Sequence, residues 1–277
     1  MQTELVERGT PQTSIAQAFG LDGRTAVITG AASGIGRETA RLFAQAGART
    51  LISDLNEAGL VETAELIGSE GSQAIRAAAD VSRRDEVEAL ADLAIQETGR
   101  VDVWVNVAGT IVNRPLLEAR EEEVDRLLAV NLKGVYWGCA AAGRVMKDGG
   151  GGSIINMSSS GGETAVPGLS IYSMSKAAVN MLTRTVAKEL GPFGIRANAI
   201  APGWVDTPMG LHSFCDETGA IDPGKRDMGL RQRAQASPLG TTGTPRDIAL
   251  AALYLASDAS RFTTGQILRP NGGVSMP

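Results

Sequence analysis

The sequence predicts a single α/β domain with a doubly wound, mostly parallel sheet of about seven strands and helices on both faces. Two observations predict it: short β-rich apolar runs recur along the chain, and segments with helical periodicity separate most of them. Alternation of this kind gives βαβ units, whose right-handed crossovers place helices on both sides of the sheet. The 277 residues are 43% hydrophobic, which supplies enough apolar material for one such core.

The strands and helices of this fold follow one another in order along the chain. Runs rich in apolar and β-branched residues predict strands at Thr25–Thr29, Arg49–Ser53, Ala74–Ala78, Asp102–Asn106, Ser153–Met157, Ile195–Ile200 and Gln266–Leu268. Helical periodicity predicts helices near Ile35–Ala46, Glu57–Gly68, Arg84–Glu97, Glu121–Met146, Tyr172–Leu190 and Pro245–Ala256. Gly47, Gly99 and Gly191 stand where glycine commonly ends a helix.

Two segments fall outside this alternation. Residues 1–20 include Glu4 and Glu7 and no continuous apolar stretch, so they match neither a signal peptide nor a membrane span, and we expect a polar arm. Residues 208–237 mix glycine, proline, aromatic and charged residues without a clear period, over a length unusual for a simple connection. Because long loops beside a rigid scaffold are often lids, we expect a substrate lid on the domain formed by residues 21–277.

Composition excludes several classes of function. The formal net charge is −5, whereas nucleic-acid binding draws on lysine and arginine to neutralise phosphates. The two cysteines, Cys139 and Cys215, have neither metal-ligand nor redox spacing, so we expect no metal site and no disulfide framework. The sequence therefore favours a cytoplasmic protein that binds a small molecule, with no nucleic acid and no membrane among its partners.

The strongest local motif is the run TGAASGIG at Thr29–Gly36, between a predicted strand and a predicted helix. Gly30, Gly34 and Gly36 would let the backbone turn sharply and approach a pyrophosphate, which the positive helix N-terminus attracts. Ser33 would add a hydroxyl donor. A glycine-rich turn that binds nothing can have the same letters, but this context favours a dinucleotide site.

The identity of the dinucleotide is predicted by Asp54, which closes the second strand roughly 20 residues after the glycines. A carboxylate there accepts hydrogen bonds from the adenosine ribose hydroxyls, whereas a 2′-phosphate would meet its charge. Leu55, Asn56 and Ser33 offer no compensating cation. NAD is therefore favoured over NADP, although an aspartate at this position also suits a helix cap or turn.

Tyr172 and Lys176 are four residues apart in a predicted helix, so both side chains lie on one helix face. A free tyrosine has a pKa of about 10, and a nearby ammonium is expected to lower it toward the physiological range. Tyr172 would then serve as a general acid or base. The same spacing also occurs by accident on solvated helices, so the surrounding motifs decide between the two interpretations.

Those motifs resemble the short-chain dehydrogenase/reductase family, in its 3-oxoacyl-reductase-like and alcohol-dehydrogenase-like branch. The matching elements are TGAASGIG, Asp80-Val81, NVAG at Asn106–Gly109, Asn131, SSSGG at Ser158–Gly162, YSMSK at Tyr172–Lys176 and PGWVDT at Pro202–Thr207. They occur in the family's order between Leu21 and Gly273. The resemblance implies a Rossmann-type domain that transfers hydride between NAD and a secondary alcohol or ketone.

The resemblance also implies roles for individual residues. It makes Tyr172 the acid/base, Lys176 its activator and a ligand of the nicotinamide ribose, and Asn131 the holder of a water that links Lys176 to solvent. Ser159, thirteen residues before Tyr172, would orient the substrate oxygen, and Ser158 and Ser160 remain alternatives. The implied cofactor contacts are Gly30, Ser33, Gly34, Ile35, Gly36, Asp54, Leu55, Asp80, Val81, Asn106, Ala108, Gly109, Tyr172, Lys176, Pro202, Gly203, Val205 and Thr207. Val107 departs from the family pattern, in which a second asparagine is usual.

Several alternatives stay open from the sequence. A 3-oxoacyl thioester reductase, an epimerase or dehydratase, and a non-catalytic dinucleotide sensor share these motifs in whole or in part. The family implies a homo-oligomer, preferably a tetramer, built on the helices at Glu121–Met146 and Tyr172–Leu190. His212 and Cys215 lie in the expected lid. For His212 solvent exposure is favoured over substrate contact, and for Cys215 the role of a small apolar filler is favoured over that of a reactive thiol. Trp204, Leu211 and Phe214 are equally suited to lining a substrate pocket and to anchoring the loop.

Overall fold

The computed structural model describes residues 14–211, 214 and 221–277 and confirms the doubly wound fold. Its seven strands form one parallel sheet in the order β3-β2-β1-β4-β5-β6-β7. The strands are β1 Thr25–Thr29, β2 Arg49–Asp54, β3 Ala74–Ala78, β4 Val103–Asn106, β5 Gly152–Met157, β6 Ile195–Ile200 and β7 Ile267–Leu268. The helices are α1 Ile15–Phe19, α2 Gly34–Gln45, α3 Glu57–Ser69, α4 Arg84–Thr98, α5 Glu121–Leu128, α6 Val135–Asp148, α7 Ser170–Leu190, α8 Pro208–Leu211, α9 Pro223–Ala236 and α10 Pro245–Ala256.

The strand order reverses between β1 and β4. The chain proceeds outward from β1 to β3 on one side and from β4 to β7 on the other. Thr29 pairs with Asn106 in register, so the carboxyl ends of the two central strands meet side by side. In open α/β sheets, ligands bind in the crevice outside such a reversal point. The topology therefore places the glycine motif and the NVAG segment at one crevice.

The core lies on both faces of the sheet, because successive side chains of a strand point to opposite sides. Ile28 faces a layer formed by α2, α3 and α10, in which Phe43 is fully buried. Val27 faces a second layer formed by α4, α6 and α7, in which Trp104 of β4 is fully buried. The two apolar layers fix the sheet and leave its carboxyl edge for polar residues.

A chain of buried polar side chains crosses the second layer. Trp104 Nε1 donates to Asn106 Oδ1 at 2.8 Å, and Asn106 Nδ2 donates to Asn156 Oδ1 at 2.8 Å. Asn156 Nδ2 donates in turn to Thr183 Oγ1 at 3.0 Å on α7. Gly138 on α6 makes room for the Asn106 side chain, since a Cβ at position 138 would lie 2.0 Å from Asn106 Oδ1. This chain of hydrogen bonds links β4 and β5 to the helix that carries Tyr172 and is called the polar chain below.

Two predicted segments differ from the structure. The single helix expected at Glu121–Met146 is interrupted by a π-helical stretch at Ala129–Gly134, a wider turn that apolar periodicity does not reveal. The expected lid holds α8 and α9 rather than irregular chain. Sequence periodicity missed α9 because this helix lacks an apolar stripe: among its residues only Gly229 is buried.

The ends and the lid are described only in part. Within the expected arm, Ser14 caps the short helix α1, while residues 1–13 lie outside the described residues. His212 and Cys215 also lie outside them, so their predicted roles stay predictions. No helix in the described ranges combines the length and the apolar character that crossing a membrane requires.

Candidate active site

The glycine motif forms a tight strand-to-helix turn. Gly30 and Gly34 have φ of +71° and +53°, values that favour glycine. A Cβ on Gly30 would lie 2.6 Å from the backbone nitrogen of Ala108, and one on Gly36 would lie 2.0 Å from the Gly30 carbonyl oxygen. The turn is therefore packed between β4 and its own helix. Ile35 follows Gly34 in the first turn of α2, whose N-terminus faces the crevice as predicted.

Asp54 holds this turn from the end of β2. One carboxylate oxygen accepts from the Ala32 backbone nitrogen at 3.1 Å and the other from Asn56 at 3.0 Å. Asn56, rather than Asp54, caps α3, since its side chain accepts from the Gly59 nitrogen. The helix-cap alternative for Asp54 is thereby removed. Leu55 is exposed beside it.

Arg37 is a basic residue near this turn that the sequence analysis did not single out. Its guanidinium donates to the Ala32 carbonyl, to Thr63 Oγ1 at 3.0 Å and to the Glu62 carboxylate at 2.8 Å. These partners engage its Nε and Nη2 groups, and Glu62 supplies a counter-charge. The signal in the sequence was its position directly after Gly36, where a helix residue reaches back over the turn.

The residues expected to flank the adenosine have mainly structural contacts. Asp80 accepts from the Ser82 nitrogen at 2.8 Å. Val81 packs against Gly134, since a Cβ at position 134 would lie 2.9 Å from Val81 Cγ2. Asn106 behaves differently from the expectation. Its side chain belongs to the polar chain and is buried in the core, so only its backbone lies at the strand end.

The Thr29 hydroxyl holds the backbone at Val107, the position where the family pattern usually has a second asparagine. Its hydroxyl accepts from the backbone nitrogens of Val107 at 3.2 Å and Ala108 at 3.3 Å. Val107 packs against the apolar layer on the α2 side. The local path of the NVAG segment is thus held by backbone contacts that do not need an asparagine side chain.

Tyr172 and Lys176 lie in the first two turns of α7. The Lys176 ammonium donates to the Met157 carbonyl at 2.9 Å and lies 5.7 Å from the centre of the Tyr172 ring. Only 4% of Lys176 is exposed, and this burial lowers its pKa to about 8. The same effect raises the pKa of Tyr172, with a hydrogen bond from Ser159 opposing it. The expected lowering of the Tyr172 pKa is therefore wrong here, because desolvation is the larger influence.

The three adjacent serines have different environments. The Ser159 hydroxyl lies beside Tyr172, since a Cβ on Gly161 would be 3.4 Å from Ser159 Oγ and 3.6 Å from Cε1 of the Tyr172 ring, and it accepts from the Gly161 nitrogen at 3.1 Å. Ser158 is buried and donates to the Lys176 carbonyl at 3.2 Å, a contact that packs the strand end against α7. The backbone of Ser160 donates to the Pro202 carbonyl at 2.9 Å. Ser159 is thus the serine whose hydroxyl faces the tyrosine.

Asn131 lies in the π-helical stretch and is fully buried. Its side chain makes two hydrogen bonds of 2.8 Å to the backbone of Thr110, one accepted and one donated. Gly109 lies between Asn131 and Lys176, since a Cβ there would be 3.3 Å from Asn131 Oδ1 and 3.8 Å from Lys176 Nζ. The missing side chain leaves space between these two groups.

The segment Pro202–Thr207 spans the crevice. Pro202 contacts the serine loop through Ser160, and Thr207 packs on the glycine turn, where a Cβ on Gly34 would lie 3.2 Å from its Cγ2. Gly203 and Val205, which lie between Pro202 and Thr207, contact residues outside this segment. Gly203 packs on the backbone of Asn271, and Val205 forms a bridge with Gly243. The segment predicted to flank the nicotinamide therefore connects the serine loop to the glycine turn.

An ion pair that sequence reasoning missed ties the serine loop to the C-terminal segment. Arg269 donates through Nε and Nη2 to the two oxygens of Glu163, both at 2.8 Å. The Glu163 side chain is 8% exposed. The two residues are 106 positions apart, so no local sequence pattern predicts the pair. This planar, two-point contact suits arginine and carboxylate.

We expect Glu163→Gln to destabilise the protein, because it leaves Arg269 without its counter-charge. The free energy of unfolding should fall by about 1–3 kcal/mol in urea denaturation. Glu88→Gln is the matched control, since Glu88 pairs with Arg84 on an exposed helix face, where such pairs contribute about 0.3–0.5 kcal/mol. Equal losses in the two variants would contradict a special role for the Glu163 pair.

The buried Lys176 predicts a pH dependence of stability. Its pKa is about 8 in the folded protein, against 10.5 for a lysine in water, so between these values the unfolded chain binds a proton that the folded chain lacks. Stability should therefore rise with pH above 8, by about 1.4 kcal/mol per pH unit. The raised pKa of Tyr172 acts in the opposite direction at higher pH, where unfolded tyrosine deprotonates first.

Urea denaturation from pH 8 to pH 10 measures this effect. Relative to Lys176→Met, the wild type should gain stability across this range, while Lys188→Met, which removes an exposed lysine of the same helix, should run parallel to the wild type. Parallel curves for the wild type and Lys176→Met would show that Lys176 keeps an ordinary pKa.

The fold is a Rossmann-type domain, and comparison with known proteins places it among oxidoreductases. Residues 30–275 match a family model described as enoyl-(acyl carrier protein) reductase. The chain is 40% identical to 3beta-hydroxysteroid dehydrogenase 2 of Eggerthella lenta, over 92% of this chain and 96% of that one. It is 37% identical to the 3-oxoacyl-(acyl-carrier-protein) reductase FabG of Thermotoga maritima, over 92% and 98%.

Solved structures give the same result. A short-chain type dehydrogenase/reductase from Mycobacterium marinum superposes with a TM-score of 0.86 at 33% identity, covering 95% of this chain and all of that one. A short-chain alcohol dehydrogenase from Sinorhizobium meliloti, described as putative in its own name, superposes with a TM-score of 0.85 at 33% identity, covering 93% and 98%. This chain belongs to the short-chain dehydrogenase/reductase family.

Proposed function

We propose that this protein is an NAD-dependent oxidoreductase that interconverts a secondary alcohol and a ketone. The observation that carries the proposal is the contact of Ser159 with Tyr172 above a buried Lys176, at the crevice where the sheet order reverses. Proton transfer to a carbonyl oxygen needs a phenol as the proton donor, a hydroxyl that orients the carbonyl oxygen and a buried cation near the phenol.

The crevice fits a nicotinamide dinucleotide. Its glycines leave no side chain over the turn, and Asp54 ends β2 beside it. Arg37 is engaged by Glu62, so it does not compensate the Asp54 charge toward a 2′-phosphate. The residues proposed to hold the cofactor are those expected from the sequence, with Asn106 contributing its backbone only. When bound, the nicotinamide supplies or accepts the hydride.

The protein's own residues supply the rest of the chemistry. In reduction, Tyr172 donates its hydroxyl proton to the carbonyl oxygen; in oxidation, it accepts the proton of the alcohol. Ser159 holds the substrate oxygen next to that hydroxyl. Below its pKa of about 8 the Lys176 side chain is an ammonium, which favours the phenolate and opposes the effect of burial. Asn131 fixes the chain at Thr110, next to Gly109, where a water can pass protons between Lys176 and solvent.

Titration of the purified protein with NADH and with NADPH, followed by a panel of secondary alcohols and ketones, tests the proposal. Tighter binding of NADH and turnover at the nicotinamide absorbance are the expected results. NADPH-driven turnover alone would contradict the cofactor assignment. Tight NADH binding without turnover on any substrate would favour a dinucleotide sensor instead.

A second candidate is reduction of a 3-oxoacyl thioester. Similarity to a protein named 3-oxoacyl-(acyl-carrier-protein) reductase favours it, while a relative named 3beta-hydroxysteroid dehydrogenase favours a cyclic alcohol. Both reactions use the same proton and hydride steps. Including a 3-oxoacyl-CoA and a 3-hydroxysteroid in the panel separates the two.

We also propose a homo-oligomer, preferably a tetramer, in the cytoplasm. Three large apolar side chains on α6 and α7, Tyr136, Met174 and Met181, are each more than half exposed. Burial of such side chains against a second copy would stabilise an assembly built on these helices. Light scattering on the eluted protein measures the number of chains directly.

A further inference from the structure

The guanidinium of Arg233 on α9 is held between two aromatic rings. Its central carbon lies 5.1 Å from the ring centre of Trp204 and 4.8 Å from that of Phe214. Nη1 also donates to the carbonyl of Gly229, one helical turn earlier, at 3.3 Å. The three contacts fix a side chain that would otherwise sample many rotamers.

The aromatic partners are themselves fixed. Phe214 is 5% exposed, and α9 approaches it at Gly229, where a Cβ would lie 2.2 Å from the Phe214 ring. Trp204 lies 6.1 Å from Phe214, measured between ring centres. Gly210 of α8 also packs on the indole, since a Cβ there would lie 3.3 Å from Cζ2. Arg233 is therefore part of a packed cluster and does not simply project from a surface helix.

This cluster adjoins the candidate active site. Trp204 belongs to the segment that runs from the serine loop, through Pro202 and Ser160, to the glycine turn, through Thr207 and Gly34. A group stacked on Trp204 therefore lies next to the segment expected to flank the nicotinamide.

The charge of Arg233 has no counter-charge among the residues that the structure describes. The salt bridges found there include Arg226 of the same helix, which reaches Asp206 at 3.5 Å, but none at Arg233. Burial lowers the pKa of Arg233, and no carboxylate is among the causes. Arg233 is half-buried, so part of its hydration is lost while no carboxylate replaces it, and an anion that reached its remaining donors would gain a charge-assisted hydrogen bond.

We propose that Arg233 is a specificity-determining residue that binds an oxyanion group of the substrate, so that the preferred ketone or alcohol carries a negative charge away from its reacting carbon. The planar guanidinium, with its remaining donors, suits a carboxylate or a phosphate. This inference rests on the proposed function, because it concerns the substrate of the same site. A free keto acid and the phosphate groups of a coenzyme A thioester share the required chemistry.

The test compares 5-oxohexanoate with its methyl ester, which differ in charge but not in the reacting ketone, and adds a 3-oxoacyl-CoA. With NADH and the full chain, we expect a lower KM for an anionic substrate than for the ester. Arg233→Met keeps an unbranched side chain about as long as the arginine stem but removes the guanidinium and its charge, and should raise the KM for the anionic substrate by about 10- to 100-fold. The KM for the ester should change less than about twofold, because the lost contact is charge-assisted.

Controls separate charge from packing. Arg233→Lys should recover part of the loss, and Arg231→Met, at an exposed position of the same helix, should change neither KM. Inhibition of ester reduction by hexanoate, compared with hexanol, measures anion binding in the wild type without any substitution. Preference for 5-oxohexanoate points to a carboxylate, and preference for the 3-oxoacyl-CoA alone points to its phosphates.

Equal effects of Arg233→Met on acid and ester, or equal inhibition by hexanoate and hexanol, would overturn the inference and leave Arg233 with a packing role. Reduction of the ester without any advantage for either anionic substrate also overturns it, while the proposed function stands. Failure to reduce any ketone with NADH or NADPH would overturn the proposed function and this inference with it.

Discussion

Tyr172→Phe is expected to lower turnover by about 10²- to 10⁴-fold, the range that a positioned acid or base contributes. The substitution removes the hydroxyl that Ser159 contacts and keeps the ring, so the packing of α7 and the glycine turn should be preserved. The dissociation constant for NADH should therefore change little. Steady-state kinetics with the best substrate of the panel and a fluorescence titration with NADH measure the two quantities.

Tyr254→Phe is the matched control for this substitution. Tyr254 donates or accepts one hydrogen bond with Thr263, at 3.2 Å, on a helix that carries none of the candidate site. The Tyr254→Phe variant should have a somewhat lower free energy of unfolding and an unchanged turnover number. A Tyr172→Phe enzyme with normal turnover would exclude Tyr172 as the proton-transfer residue, and a comparable loss in Tyr254→Phe would attribute the effect to stability.

The double substitution Asp54→Asn with Leu55→Arg should shift the preference from NADH toward NADPH by roughly 100-fold in the ratio of kcat/KM values. Asparagine retains an oxygen to accept from Ala32 and removes the charge that would repel a 2′-phosphate. Arginine at the exposed position 55 adds a cation beside it. Asp54→Asn alone should give an intermediate ratio.

Asp92→Asn supplies the control for Asp54→Asn alone, since it makes the same change in net charge at an exposed ion pair with Arg144. The cofactor ratio of this variant should equal that of the wild type. A wild-type protein that prefers NADPH, or a double variant with an unchanged ratio, would contradict the role assigned to Asp54.

Much of the fold followed from local pattern. The seven strand positions were predictable because β-rich runs alternate with helical segments, and the βαβ rule then fixed their parallel pairing. The interruption at Ala129–Gly134 was not predictable in this way, because a π-turn changes hydrogen bonding without changing apolar spacing. α9 was missed because it contacts the domain through Phe214 and Arg233 rather than through an apolar stripe.

The candidate site, like the fold, was predictable from the sequence only in part. Motif spacing led to Ser159, Tyr172 and Lys176, and the structure brings these three together. Spacing could not give the direction of the Tyr172 pKa shift, which depends on how deeply the hydroxyl is buried. Nor could it find contacts between distant parts of the chain, such as Glu163 with Arg269.

The polar chain from Trp104 to Thr183 has a consequence for how accurately α7 is docked. Apolar side chains tolerate small slides of a helix across a sheet, because dispersion contacts have little directional preference. A slide would separate Asn156 from Thr183 and leave buried polar atoms unpaired, at a cost of about 1–3 kcal/mol for each. The hydrogen bonds thus favour one lateral position of α7 on the sheet. This position also fixes where the Tyr172 hydroxyl lies relative to the carboxyl edge of the sheet.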